Sequence, residues 1–182
     1  FAALPQRPRR SIMMLFVAAE EQGLLGSKYY SRHPTVPAGR IAANINYDGG
    51  NIWGRTRDVT MIGLGKSSLD DVARQVIGMQ GRRLEPDQFP DRGYYYRSDQ
   101  FSFARIGVPA LYFENGTEVL GKPEGWGKKQ IEEWEGKHYH QPSDQLDASW
   151  TFEGLIEDAQ LGFYAGWLVA EADAMPDIVM AA

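Results

Sequence analysis

The residues best suited to chemistry are two adjacent carboxylates, Glu20 and Glu21, at the end of the apolar run Ile12–Ala18. Seven apolar residues without Pro or Gly predict a strand buried on both faces. Gly23 breaks that strand, and Leu24–His33 has helical character. Strand ends are where open α/β sheets place their ligands. Two acids there can cap the next helix through its dipole. Alternatively they divide a task, one holding a metal and the other moving a proton. A second apolar stretch, Ile41–Tyr47, also stops at an acid, Asp48, followed by Gly49-Gly50. That acid is either one half of an Asp-Gly turn or a neighbour of the first pair at a common sheet edge. His140 lies in a loop after a further strand. Three carboxylates, an imidazole and no thiolate suit Zn²⁺, Mn²⁺ or a similar cation at a hydrolytic site.

The elements that must position these groups follow from periodicity. Strands are predicted at Ile41–Tyr47, Asp58–Gly63 and Pro109–Phe113. A helix over Leu69–Gln80 carries the inner stripe Leu69, Val72, Ala73, Val76 and Ile77, with Ser67 or Ser68 as its cap. Arg82–Gly93 reads as a polar loop. Ser98 or Asp99 starts a short helix with Phe101, Ala104 and Ile106 inward. Glu114–Lys137 reads as a long Gly-rich loop. Thr151–Ala174 is the longest helix, with Leu155, Ala159, Phe163, Trp167 and Ala170 as its expected core face. The sum is one α/β domain over residues 1–182, a three-layer sandwich with a mostly parallel mixed sheet.

Composition narrows the function. The 182 residues carry a net charge of −5, so the balance offers nothing to nucleic acid or an anionic membrane surface. Cysteine is absent, which excludes disulfides, thiolate metal sites and a cysteine nucleophile. No apolar stretch approaches the roughly 20 residues of a membrane span. Gly65-Lys66-Ser67 lies between a strand and a helix, but Thr60 stands where a phosphate-binding loop requires Gly. His33, just before Pro34, reads as a surface residue. Tyr94–Tyr96, Trp126 and Trp134 could rim an aromatic pocket or simply pack.

Four motifs occur in order: A-E-E-Q-G-L-L-G-S (19–27), N-Y-D-G (46–49), R-S-D-Q-F-S-F-A-R-I-G-V-P-A-L-Y-F (97–113) and Y-H-Q-P-S-D-Q (139–145). Together they resemble the zinc-dependent aminopeptidase family that includes bacterial leucyl aminopeptidases and glutamate carboxypeptidase, with glutaminyl cyclases more distant. The resemblance spans about Arg10 to Ala170. It implies a zinc-peptidase fold and hydrolysis of the N-terminal peptide bond of a peptide or small amide. It implies Glu20 as general base, Glu21 and His140 on one metal, and Asp48 on the other. Tyr139 would steady the tetrahedral oxyanion, or pack as an aromatic. Asp99 would support the site from behind, although Gln100 stands where the family has His. His138 has no assigned role.

The implied cofactors are two divalent cations, zinc foremost. The family's first metal-binding His and its bridging Asp lie upstream of the Glu-Glu strand. The expectation is therefore that this chain is the C-terminal part of a catalytic domain, lacks the upstream strands and binds metal weakly alone. Export from the cytoplasm, to the periplasm or beyond, fits the resemblance. A carboxypeptidase, a single-zinc cyclase or a receptor-like domain without activity are the alternatives.

Overall fold

The computed structural model describes residues 1–179. Four strands form one sheet in the order β1-β4-β2-β3: β1 Asn44–Asn46, β2 Asp58–Met61, β3 Arg83–Pro86 and β4 Ala110–Glu114. β1 runs parallel to β4 and β2 parallel to β3, while β2 and β4 are antiparallel, with Met61 opposite Phe113. β2 is buried along its whole length, Asp58 included, as are Leu111–Phe113 of β4, which is why β4 reads as a continuous apolar run.

Helices cover both faces. Leu111 and Phe113 point into a core built with Val59 and Met61, with Leu69, Ala73, Val76 and Ile77 of α2 (Leu69–Met79), and with Leu161, Ala165 and Val169 of α5 (Glu153–Glu171). On the other face, Tyr30 of α1 (Leu25–Arg32) packs with Phe103 of α3 (Gln100–Ala104) and Val108. A ninth element, helix α4, spans Trp126–Lys137.

A buried ion pair locks α5 to the sheet. The Arg82 guanidinium donates to Asp158 Oδ1 at 2.6 Å, to Thr56 Oγ1 at 2.6 Å and to the Asp58 carbonyl at 2.8 Å. Asp58 in turn accepts from the backbone N–H of Thr117 and of Glu118, both at 2.8 Å.

Several sequence expectations are corrected. Ile12–Ala18 forms no strand: it has no ladder partner among the described residues, and Met14 and Phe16 are 72% and 90% exposed. Without a neighbour to accept its backbone bonds, an apolar run cannot become a strand. The segment is held at its ends instead, by Arg10 N–H to the Ala170 carbonyl and Gly26 N–H to the Ala18 carbonyl. β1 and β2 are shorter than expected because ladder pairing, not hydrophobicity, sets strand length.

Arg82–Gly93 contains β3, a polar edge strand tolerant of Pro86. Glu114–Lys137 contains α4, whose Lys, Gln and Glu residues favour helix despite Gly127 and Gly136. The buried face of α5 is Gly154, Asp158, Leu161, Ala165, Val169 and Ala170; of the expected face only Ala170 belongs to it, and Ala159 is exposed. Ser68 does stand at the α2 N-cap position, yet its Oγ accepts from Asp177 N–H at 2.9 Å instead of from the helix. Ser67 Oγ makes no bond in its place. In α3, Ser102 and Phe103 are buried, while Phe101, Ala104 and Ile106 are only partly so. His33 is a surface residue stacked on Tyr29.

Candidate active site

The turn that carries Glu20 and Glu21 is built by backbone bonds. The Glu20 carbonyl accepts from Gly23 N–H at 2.9 Å and Leu24 N–H at 2.8 Å. Gly26 closes it: a Cβ there would stand 2.6 Å from the Ala18 backbone, so only glycine lets the start of α1 sit against that segment. No acidic residue lies in the first turn of α1, and Leu24, at its N-cap position, makes no side-chain cap bond. The helix-capping explanation of the two carboxylates is therefore set aside.

Glu21 meets His140 across 119 positions of sequence. The imidazole Nε2 lies 2.9 Å from both carboxylate oxygens. Tyr139 stacks on the His140 ring with centroids 3.8 Å apart. Among the described residues, the non-glycine positions with positive φ are Ala19, Leu24 and His140. All three flank this contact. Left-handed backbone costs an ordinary residue on the order of 1–3 kcal/mol and persists only where the surroundings enforce it.

Glu20 is partly buried, and burial pushes its carboxyl up from the ordinary range; the charges of Asp48, Glu21 and Asp99 add to this, and His140 opposes it. Burial also raises Tyr139, with Arg97 opposing and Glu21, Asp48 and Glu20 reinforcing. Asp99 stands at the N-cap position of α3 without capping it. Burial raises its carboxyl, the Ser27 hydroxyl lowers it and Asp48 raises it further. Its Oδ1 is buried without a hydrogen-bond partner.

Asp48 follows β1 and is exposed, but one oxygen is fixed. Ser98 Oγ donates to Asp48 Oδ2 at 2.6 Å. Ser98 itself is buried and accepts from Asn46 Nδ2 at 2.9 Å, and Asn46 also donates to Gln100 Oε1 at 3.3 Å. Sequence reasoning missed this support. The only signal was position: Asn46 precedes Asp48 by two residues, and Ser98 adjoins Asp99 in the third motif. His138 is apart from the Glu21–His140 contact; its Nδ1 faces the Ser143 carbonyl at 3.2 Å.

The donor types, imidazole nitrogen and carboxylate oxygen, fit a divalent cation. Their number is smaller than a full coordination set. Among the described residues no group of three or more His, Cys, Asp or Glu side chains converges closely enough to hold a metal. Glu21 and His140 are in direct contact, and Asp48 does not join them in a group of three.

The α/β sandwich places Asp48 after strand β1, and brings the Glu20-Glu21 turn before α1 to the His140 loop after α4. The chain belongs to peptidase family M28, whose family model matches residues 1–163. Its fold is similar to that of an aminopeptidase from Aneurinibacillus sp. strain AM-1, with a TM-score of 0.60 and 22% identity over 87% of this chain and 33% of that one. It is likewise similar to a peptidase M28 precursor from Shewanella amazonensis SB2B, with a TM-score of 0.61 and 19% identity over 98% of this chain and 35% of that one. The chain spans about a third of the length of these two structures. No curated protein matches it. No described helix is long and apolar enough to cross a membrane.

Proposed function

We propose that the full-length protein is a metal-dependent aminopeptidase that hydrolyses the N-terminal bond of peptides, and that this chain is the C-terminal part of its catalytic domain. Family membership and the aminopeptidase among the structural neighbours support the reaction class. The third-length coverage of those neighbours and the exposed run Ile12–Phe16 support the assignment to part of a larger domain.

One observation carries the mechanism: Glu21 and His140 meet at 2.9 Å between two strained backbone turns, with Glu20 next in the chain. In this reading Glu21 and His140 hold one cation, and Asp48, oriented by Ser98, holds a second. Bound there, such ions would acidify water and polarise the scissile carbonyl. Glu20 takes the proton of the attacking water and delivers it to the leaving amine, the work of a single general base and acid. Tyr139, its ring fixed against His140, offers its hydroxyl to the developing oxyanion. Asp99, at the N-terminal end of α3, steadies the site. The substrate is a peptide or small amide with a free α-amino group.

The test is hydrolysis of aminoacyl-nitroanilides by the full-length protein, with and without chelator. Turnover that chelator abolishes and Zn²⁺ restores supports the proposal. Turnover indifferent to chelator, or none on any aminoacyl substrate, overturns it.

A further inference from the structure

A concavity opens against one face of α4. It is a cavity of about 110 Å³ lined by Trp53, Gln130, Glu133, Trp134, Lys137 and His138. Gln130, Glu133, Trp134 and Lys137 fall at helical spacing, so one face of α4 forms its floor. Trp53, from the loop after β1, also lines it. Trp134 is held by His138 on its ring, with centroids 4.6 Å apart, and by an edge contact from Trp150 at 5.5 Å.

The charges of this face are arranged unusually. Glu133 and Lys137 are spaced i, i+4 with the acid N-terminal, the better orientation for a helical ion pair. They form no ion pair within 4.0 Å of each other; Glu133 instead reaches back to Lys129 at a loose 3.7 Å. Both line the cavity together with the indoles of Trp53 and Trp134. Glu133, loosely paired with Lys129, and the exposed Lys137 place a carboxylate and an ammonium on adjacent turns beside aromatic surface, charges that complement a ligand carrying both. At about 110 Å³ and open to solvent on one side, the concavity suits a small ligand.

We propose that this cavity binds a small free α-amino acid as its zwitterion, the ammonium against Glu133 and the indole faces, the carboxylate against Lys137. Indole faces favour cations, which fits the ammonium end. The site does not depend on the hydrolytic reading, and no catalytic group takes part in it.

The test is calorimetric titration of the full-length protein in chelator, so that no bound cation holds the amine, with tryptophan fluorescence followed in parallel. The probes are L-alanine, L-alaninamide (no carboxylate) and N-acetyl-L-alanine (no ammonium). Saturable binding of alanine is expected in the millimolar range, at least tenfold weaker for each truncated analogue. Glu133→Gln and Lys137→Met should each lower alanine affinity at least tenfold. Both positions are on the surface of α4, and a circular dichroism spectrum unchanged from the parent confirms that the helix is retained. No saturable alanine binding, equal binding of the three probes, or unchanged affinity in both variants overturns the proposal.

Discussion

Replacing Ser98 with Ala isolates the support of Asp48 from the rest of the site. The Ser98 hydroxyl is buried, donates to the Asp48 carboxylate at 2.6 Å and accepts from Asn46 at 2.9 Å. A hydrogen bond to a charged group contributes about 1.5–3 kcal/mol. At 1.36 kcal/mol per tenfold, that corresponds to roughly 10–150-fold in the affinity of whatever the carboxylate binds. Loss of a group that orients a metal ligand typically costs about 10–100-fold in affinity, which agrees. The effect on folding should be smaller. Asp48 is exposed and can turn to water, and Asn46 keeps its bond to Gln100 at 3.3 Å. A loss of about 1 kcal/mol is expected from the remaining Asn46 contact. The assay pairs Zn²⁺ titration of the full-length variant with urea unfolding in chelator. Ser98→Thr, which keeps the hydroxyl, should recover most of the affinity. Affinity within twofold of the parent alongside a stability loss of several kcal/mol would refute the reasoning, because Ser98 would then be a packing residue only.

Other outcomes follow from the same structure. Arg82→Ala leaves Asp158 buried and unpaired, so it should lower the urea-unfolding free energy by about 3–5 kcal/mol, whereas Arg82→Met with Asp158→Leu should cost clearly less; equal losses would contradict the buried-pair account. Burial raises the Glu114 carboxyl, which accepts from Tyr112. A raised folded pKa favours the protonated acid, so this group costs nothing below the ordinary carboxylate range and lowers stability as pH rises through its folded value. Glu114→Gln should therefore stabilise at neutral pH and lose that gain by about pH 4; a gain independent of pH would contradict the shift. The isolated 182-residue chain should bind Zn²⁺ weakly, since only Glu21 and His140 converge among the described residues. Tight calorimetric binding of two ions per chain would contradict this.

Helices α1 and α2 were legible because their apolar residues repeat at helical period, β4 because a buried strand reads as an unbroken run, and β2 through its β-branched Val59 and Thr60. The run Ile12–Ala18 reads identically yet forms no strand here. Hydrophobicity reports the tendency to be covered and says nothing of whether a partner is present. Helix α4 escaped notice because two glycines and few apolar residues hide its stripe, and β3 because an edge strand need not look apolar. The α5 face was misjudged because that helix buries small and polar groups, Gly154 and Asp158, beside Leu161. In the site, Glu20, Glu21, Asp48 and His140 stood out as charged or imidazole groups at element ends, and the structure brings Glu21 and His140 into contact. Ser98 and Asn46 did not stand out. Uncharged polar residues are common everywhere, and theirs matter through a contact 50 positions away in sequence.

The central claim is a division of labour between adjacent carboxylates, Glu21 holding a cation with His140 and Glu20 moving the proton. Turnover and metal content measured together on full-length Glu20→Gln test it most directly. The account predicts normal metal content with turnover abolished. Turnover near that of the parent, or loss of metal from this variant, would contradict it.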